Sequence, residues 1–466
     1  MSWTANEILS ATGGKLLRAC DKDVFGEVVT DSSKVKRGSI FVALKGERLD
    51  GHRFVGEAAR RGARCVIVHR RPGRVVKNTA VIQVPDTLKA LGDLAHYRRE
   101  KFAPQVVAIT GSNGKTTTKE MLAAILEEGS LNGQALRGKV LKTEGNFNNL
   151  VGLPLTLLRL RPDHRVAVVE LGTNRPGEIH RLAQIADPDL GIITAVAAAH
   201  LEGLTSVAGV AREKGALYRN VRPAGAIAVN LGDPRVRRLG QRFKGRKITY
   251  GKRGHVRAEA WRSLGSKGAR FVLRVGGARC AIRLHYPGEH NVANAAGAAA
   301  LANHLGVGLA AIRRGLERAR PLAMRMQIDE WRGIGIINDA YNANPASVEA
   351  AIRTLAEIKG RGERIAVVGD MFELGERSPQ QHLEVGRHIA QQKISALYLL
   401  GARAVEQVRQ GALRGGMPAE KIFVGKNHSD LVRQLRRRLR RGDWLLVKGS
   451  RGMRMEKIIA GLKGRR

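Results

Sequence analysis

The stretch Gln105–Met121, QVVAITGSNGKTTTKEM, constrains the fold more than any other part of this 466-residue chain. A short apolar run, Val106–Ile109, breaks into Thr110-Gly111-Ser112-Asn113-Gly114-Lys115-Thr116-Thr117 and continues as the helix-like Lys119–Glu127. Strand, glycine loop and helix start is the setting of a phosphate loop. Gly111 and Gly114 let the backbone turn with its N–H groups inward, and the following helix points its positive end at the same place. Lys115 offers a point charge to the β- and γ-phosphates, and Thr116 a hydroxyl to Mg²⁺. The spacing is shorter than G-x-x-x-x-G-K-[ST], because Ile109 stands where the first glycine would be. A chance βα turn can hold Gly and Lys, but a GKTTT run directly after an apolar strand favours nucleoside triphosphate binding.

The remainder reads as three units. The first, 1–103, holds a short helix at Ala5–Thr12, strands at Phe25–Thr30, Ser39–Leu44, Cys65–Val68 and Thr79–Val84, a small helix at Phe54–Arg61 and a turn at Gly46–Gly51. Pro104 marks a boundary. The second, 104–320, alternates strands (Val166–Glu170, Gly191–Val196, Ala226–Asn230) with helices (Pro176–Ala186, Ser206–Tyr218), then gives several strands over Arg246–Leu284 and an alanine-rich helix, Asn291–His304. Arg320-Pro321 suggests a hinge. The third, 321–466, repeats the βα pattern. Its strands are Gly335–Asn338, Arg364–Val368, Ala396–Leu400, Lys421–Val424 and Trp444–Val447, and its helices Pro345–Ile358, Pro379–Gln391, Ala404–Leu413 and Ser429–Leu439. The expected fold is α/β in three domains: a small α/β N-domain, a central phosphate-loop ATPase domain with a mostly parallel sheet, and a Rossmann-like doubly wound C-domain.

Composition enters mainly through charge. A net +40 normally points to nucleic acid or an anionic surface. Here the basic residues are dispersed, aromatics are 4% of the chain, and no RNA-recognition or helix-turn-helix signature is present. No specific nucleic-acid partner is therefore expected, and the densest run, Arg433–Arg441, reads as the solvated face of a helix. Three scattered cysteines, Cys20, Cys65 and Cys280, without C-x-x-C spacing, predict a reduced cytoplasmic chain with no disulfide framework or structural zinc. The charged start predicts no signal peptide, and no apolar run reaches the length of a membrane span.

Several other residues could carry chemistry. Glu170 ends a strand, where open α/β sheets place their ligands, and beside a phosphate loop it is a natural Mg²⁺ ligand. His200 lies in another strand-end loop of the same predicted sheet. The amide-rich Thr143–Asn149 brings Asn148 and Asn149 together, either to hold a phosphate or peptide carbonyl or as a loop and helix cap. NDAYNANP, Asn338–Pro345, ends a strand and opens a helix with more polar residues than a cap requires. Lys214, in REKGALY, is one of 81 basic residues, and the pattern alone does not single it out.

Together these motifs resemble the Mur ligases of peptidoglycan synthesis over essentially the whole chain. TGSNGKTTTKEM is similar to the family's short phosphate loop, and TEGNFNNLVGLP, VVELGTNRPGEI and AHLEGLTSVAGVAREK to its central blocks. HNVANAAGAAA, with Asn291 and Asn294, is similar to its adenine-contacting block, and Arg325 to its arginine near the phosphates. DSSKVKRGSIFVALKGERLDGHRF resembles a uridine-nucleotide domain, although the usual D-S-R reads Asp31-Ser32-Ser33, with Lys34 next. NDAYNANPAS, GDMFELG and VKGSRGMRMEK resemble the member that adds D-Ala-D-Ala. The resemblance implies an ATP-dependent ligase that joins D-Ala-D-Ala to UDP-MurNAc-tripeptide through an acyl phosphate. It implies Lys115, His200, Lys214 and Asp339 as catalytic and Gly111–Thr117 on the nucleotide. It implies two Mg²⁺ ions near Thr116, Glu170, His200 and a carbamylated Lys214, and substrate contacts at Asp31, Ser32, Asn148, Asn149, Tyr341 and Asn342. A monomer is expected. Folylpolyglutamate synthase-like ligation and a nucleic-acid-stimulated ATPase are the alternatives; the uridine-type segment argues against the first and the dispersed charge against the second.

Overall fold

The computed structural model describes residues 2–21, 23–46, 49–73 and 78–464. Glu47 and Arg48, within the expected Gly46–Gly51 turn, lie outside the described residues.

Five short strands make the first sheet: β1 (Lys15–Arg18), β2 (Val28–Val29), β3 (Ile40–Val42), β4 (Cys65–Val68) and β5 (Ala80–Gln83), in the order β1-β5-β4-β3-β2. Only the β1–β5 pair is antiparallel. Expected strand Phe25–Thr30 shrinks to β2, because Phe25 instead bridges to Trp3 beside the first helix. A sixteen-residue helix, Thr87–Phe102, escaped the sequence reading. Asp86 caps it by accepting from Leu88 and Lys89 N–H groups. Its Arg99, 1% exposed, reaches across to Asp189 and the Asp187 carbonyl, tying the first sheet's covering helix to the central body.

The central sheet follows β6 (Gln105–Thr110), a small hairpin β7 (Ser130–Leu131) and β8 (Gln134–Ala135), then β9 (Val140–Lys142), β10 (Val166–Glu170), β11 (Leu190–Ile193), β12 (Ala226–Asn230), β13 (Arg246–Tyr250), β14 (Val256–Ser263), β15 (Ala269–Val275) and β16 (Ala278–Leu284). Its order is β16-β15-β14-β13-β12-β11-β6-β10-β9. Strands from β9 to β14 are parallel, and β14–β15–β16 are antiparallel. Parallel strands buried on both faces need continuous apolar runs. Val106–Ile109 and Val166–Val169 supply them and are fully buried. Helices Lys115–Glu127 and Glu289–His304 pack together over one face; the alanines of the second permit that close approach.

The third sheet uses β17 (Gln327–Trp331), β18 (Ile334–Asp339), β19 (Arg364–Gly369), β20 (Ala396–Leu400), β21 (Ile422–Val424) and β22 (Trp444–Lys448), ordered β17-β18-β22-β19-β20-β21. It is parallel apart from the β17 edge, and separate apolar clusters cover its two faces, as a doubly wound sheet requires. The expected helix Ala404–Leu413 begins as a π-turn, Ala404–Val408. The basic run Arg433–Arg441 is not simply a solvated face. The helix His428–Arg438 ends before Leu439, Arg436 donates to the Gly461 and Gly464 carbonyls, and Arg438 pairs with Glu363.

Candidate active site

The C-terminal ends of β6, β10 and β11 meet at the glycine loop, so neighbouring strands deliver their last residues to one edge. Gly111 and Gly114 have φ of +151° and +82°. A Cβ on Gly111 would sit 1.9 Å from Thr194 Oγ1, and one on Gly114 would sit 2.4 Å from Asn294 Oδ1. Both positions therefore demand glycine, and the second shows that the alanine-rich helix docks on the loop. Ser112 is fixed by Ala195 and Ala197, its N–H donating to the first carbonyl and its hydroxyl to the second. Asn291 donates to the Pro287 carbonyl and accepts from Asn294, which orients the amide facing the loop.

Lys115 folds back to donate to the Gly111 carbonyl at 2.7 Å. Burial lowers its pKa first, partly offset by Glu170, and Arg325 lowers it further. Thr116 Oγ1 donates to Glu170 Oε2 at 2.8 Å, and Asn148 Nδ2 to Glu170 Oε1 at 2.8 Å. The Glu170 N–H donates to Thr143 Oγ1, and Lys119, wholly buried beside Glu120, donates to the Thr143 carbonyl. The loop threonine, the strand-end carboxylate and the amide-rich segment are thus one network. Thr117, the next residue of the loop, is half-buried. Asn149 Oδ1 accepts from the Val151 and Gly152 N–H groups, which orders the turn before the helix Gly152–Leu157.

Lys214 is 0% exposed, and among the described residues its Nζ has no hydrogen-bond partner. Burial pushes its pKa well below the ordinary lysine value, and Lys115 adds repulsion; Glu213 and Glu170 offset part of this. Neighbouring Glu213 does not rescue it by hydrogen bonding. Its oxygens accept from the Gly177 and Ile179 N–H groups, which anchors the start of helix Glu178–Ala186. Glu213 was missed from sequence, because a carboxylate beside a lysine in a helix reads as one more surface pair.

His200 faces elsewhere. With φ +55°, its Nδ1 lies 2.6 Å from Glu373 Oε2, and the Glu202 N–H donates to the Glu373 carbonyl. Glu373 belongs to the GDMFELG segment, so this contact joins the second and third bodies. Among the described residues no group of three or more His, Cys, Asp or Glu side chains is gathered for a metal. A second contact between the bodies is an amide exchange: Asn344 Nδ2 donates to Asn113 Oδ1 at 2.8 Å and Asn113 Nδ2 to Asn344 Oδ1 at 3.2 Å. Asn344 also caps the helix Pro345–Ala356, so the N-cap reading and the contact with the loop are both true.

On the third body, Asp339 ends β18. Its Oδ1 accepts from the Met326 N–H and its Oδ2 from Lys448 Nζ at 2.5 Å. Lys448, 2% exposed, also donates to the Asn342 carbonyl. Lys448 was missed as a site residue, though it opens the quoted KGSRGMR block at a strand end. The Arg325 guanidinium lies 3.9 Å over the Tyr341 ring, which steers it towards Lys115. Asp31 and Ser32 sit apart on the first body. Asp31 Oδ1 accepts from the Ser33 N–H and hydroxyl, which lowers its pKa, and Ser32 reaches Glu57 at 3.5 Å.

Comparison with known proteins bears on the same three bodies. The Mur ligase middle domain matches residues 109–302, the Mur ligase glutamate ligase domain 324–451, and the Mur ligase family catalytic domain 25–99. The UDP-N-acetylmuramoyl-tripeptide--D-alanyl-D-alanine ligase of Bacillus subtilis is 34% identical over 95% of this chain and 94% of its own. That of Haemophilus influenzae is 37% identical over 94% and 93%. A MurF structure from Acinetobacter baumannii superposes with a TM-score of 0.91 at 34% identity, over 100% of this chain and 99% of that one. A MurF ligase from Thermotoga maritima in complex with ADP gives 0.82 at 28% identity, over 94% and 97%. A Mycobacterium tuberculosis folylpolyglutamate synthase, 17% identical with a TM-score of 0.63, covering 81% of this chain and 95% of its own, shares the fold alone.

Proposed function

This chain belongs to the Mur ligase family, and from that premise we propose that it joins D-alanyl-D-alanine to UDP-N-acetylmuramoyl-tripeptide with cleavage of ATP, making the pentapeptide precursor of peptidoglycan. The observation that carries the chemistry is the bond from Thr116 of the phosphate loop to Glu170, with Lys115 on the same loop. The loop N–H groups, Lys115 and Arg325 hold the triphosphate; Asn291 and Asn294 lie where the loop and the nucleoside meet. The tripeptide's terminal carboxylate oxygen attacks the γ-phosphorus, the β–γ bridge breaks and ADP leaves. The amine of D-Ala-D-Ala then attacks the acyl carbon, phosphate departs, and the amine gives up a proton. Asp339, Tyr341 and Asn342 line the dipeptide's place on the third body, 321–466. Asp31 and Ser32 serve the uridine nucleotide on 1–103, and Asn148 presents the tripeptide beside Glu170.

Thr116 and Glu170 offer a hydroxyl and a carboxylate that would suit Mg²⁺, and a carbamylated Lys214 would hold a second ion together with His200 once that side chain had turned from Glu373. When bound, the ions screen the repulsion between triphosphate and carboxylate. An unmodified lysine is no ligand for such an ion. The buried Nζ of Lys214, without a hydrogen-bond partner among the described residues and with its pKa pushed well down by burial, fits the modification. Its lone pair attacks CO₂, a C–N bond forms, one N–H proton is released, and the product is a carboxylate-like anion. The protein acts as a cytoplasmic monomer.

The test is incubation with UDP-MurNAc-tripeptide, ATP, Mg²⁺ and D-Ala-D-Ala. ADP release that requires both other substrates, with pentapeptide product, is expected. ATP turnover indifferent to the dipeptide, without pentapeptide, would sink the reading.

A further inference from the structure

The far edge of the central sheet carries an arrangement that the ligase reaction does not use. In the antiparallel β14–β15–β16 the register sets arginines directly opposite one another. Arg262, Arg270 and Arg283 form one row across the three strands, and Arg257, Arg274 and Arg279 a second. Facing residues on neighbouring strands have Cβ atoms about 5 Å apart, and like charges so placed destabilise the pairing. The second row is partly relieved. Arg257 lies 3.5 Å from Glu259, and Arg274 donates to the Gly276 carbonyl. The first row has no such relief: among the described residues neither Arg270 nor Arg283 has a side-chain hydrogen bond or ion pair, and both are exposed.

A cavity of about 500 Å³ opens at that row, between the strands and the helix Leu309–Arg318. Leu264, Lys267, Arg270, Arg283, Arg313 and Glu317 line it. Four cations against one carboxylate leave three positive charges. Glu317 accepts from the Arg283 N–H at 3.2 Å and from Arg313 at 3.4 Å, so it answers Arg313 and leaves Lys267, Arg270 and Arg283 as the excess charge. Two guanidinium forks on adjacent strands match the geometry of phosphate oxygens, which a bidentate arginine recognises better than a lysine does. The volume suits a small ligand. The residues that line the cavity belong to the turn after β14, to β15 and β16 and to the helix Leu309–Arg318, none of them to the phosphate loop Gly111–Thr117.

We propose that this cavity is a second anion site, which takes a small ligand bearing a chain of phosphates, with Arg270 and Arg283 as the clamp and Lys267 and Arg313 on its flanks. A flat lipid surface or a nucleic-acid duplex would draw on both arginine rows equally. The cavity, the unrelieved pair and Lys267 beside it favour one small polyphosphate instead, and among the described residues no aromatic side chain lines the cavity for base stacking.

The test titrates inorganic tripolyphosphate into the full-length Lys115→Ala protein, in which the phosphate loop has lost its anchoring amine. Saturable one-to-one binding is expected. Adding Arg270→Gln and Arg283→Gln should weaken it at least about tenfold, and Arg257→Gln with Arg274→Gln should leave it within about twofold. In the Lys115 background, unchanged affinity in the Arg270/Arg283 variant overturns the proposal. So does stronger, non-saturating binding of phosphatidylglycerol vesicles or duplex RNA that both arginine rows affect alike. Ligase activity of Arg270→Gln/Arg283→Gln with Lys115 intact should match the unaltered chain and reports that it folds. Should it not fold, Arg270→Lys/Arg283→Lys keeps the charge and removes the forks; full affinity there also overturns the proposal.

Discussion

Lys214 and Lys448 are both buried lysines, and their surroundings are opposite. Lys448 donates to the Asp339 carboxylate and the Asn342 carbonyl, so its charge is answered. Lys214 donates to nothing, and burial together with Lys115 pushes its pKa well down. The difference separates a structural ion pair from a chemically available amine. A buried charge with a carboxylate partner and hydrogen bonds is held in place, whereas a buried amine without either sheds its proton.

The comparison yields four predictions of decreasing size. Replacing Lys214 by Ala should lower ligation by about a thousandfold, close to 4 kcal/mol of barrier, while ATP binding persists. Steady-state rates with bound-nucleotide titration check this, and small carboxylates in the buffer should restore part of the rate. Next, Lys448→Met leaves Asp339 half-sheltered without its cation and should destabilise by about 3 kcal/mol. Lys448→Met with Asp339→Asn should recover much of that loss in chemical denaturation; an additive loss would break the proposed pairing.

Third, Lys214→Met should stabilise, by about 1–2 kcal/mol in CO₂-free buffer, because an unsatisfied buried amine disappears. The sign with pH follows from the depressed pKa. The unfolded chain holds a proton on this lysine up to its ordinary 10.5, and the folded chain gives it up at a lower pH. The unaltered protein therefore gains stability as pH rises from the depressed folded pKa towards that value, and the advantage of Lys214→Met, largest at and below the folded pKa, shrinks over the same window. An advantage that grew with pH would contradict a neutral buried amine. Smallest, Asn344→Ala removes a helix cap and the exchange with Asn113, and should cost about 1 kcal/mol. Asn113→Ala should cost less, since it spares the cap.

What sequence revealed follows the range of the interactions. The phosphate loop is local: apolar strand, glycines and GKTTT lie within seventeen residues, and the fold places them as expected. Glu170 was legible as a carboxylate at the end of an apolar run. Most helices and strands were legible from periodicity, within a few residues at their ends. Lys214 was not, because its distinction is the absence of partners, which no spacing encodes; only the resemblance pointed to it. Lys448 and Asp339 are 109 residues apart, and their pairing arises when β18 and β22 become neighbours. The facing arginines of β15 and β16 depend on strand register, so the sequence displayed the charge but not its rows. The helix Thr87–Phe102 was missed because its charged outer face dilutes its apolar stripe.

The proposed ligase chemistry needs Lys214 to be converted by CO₂ into an anion. The direct measurement is carbon-13 NMR of the full-length protein equilibrated with ¹³C-bicarbonate and Mg²⁺. One carbamate resonance is predicted, present in active protein and absent from Lys214→Ala. Fully active protein without that resonance, or with it intact in Lys214→Ala, would contradict the account.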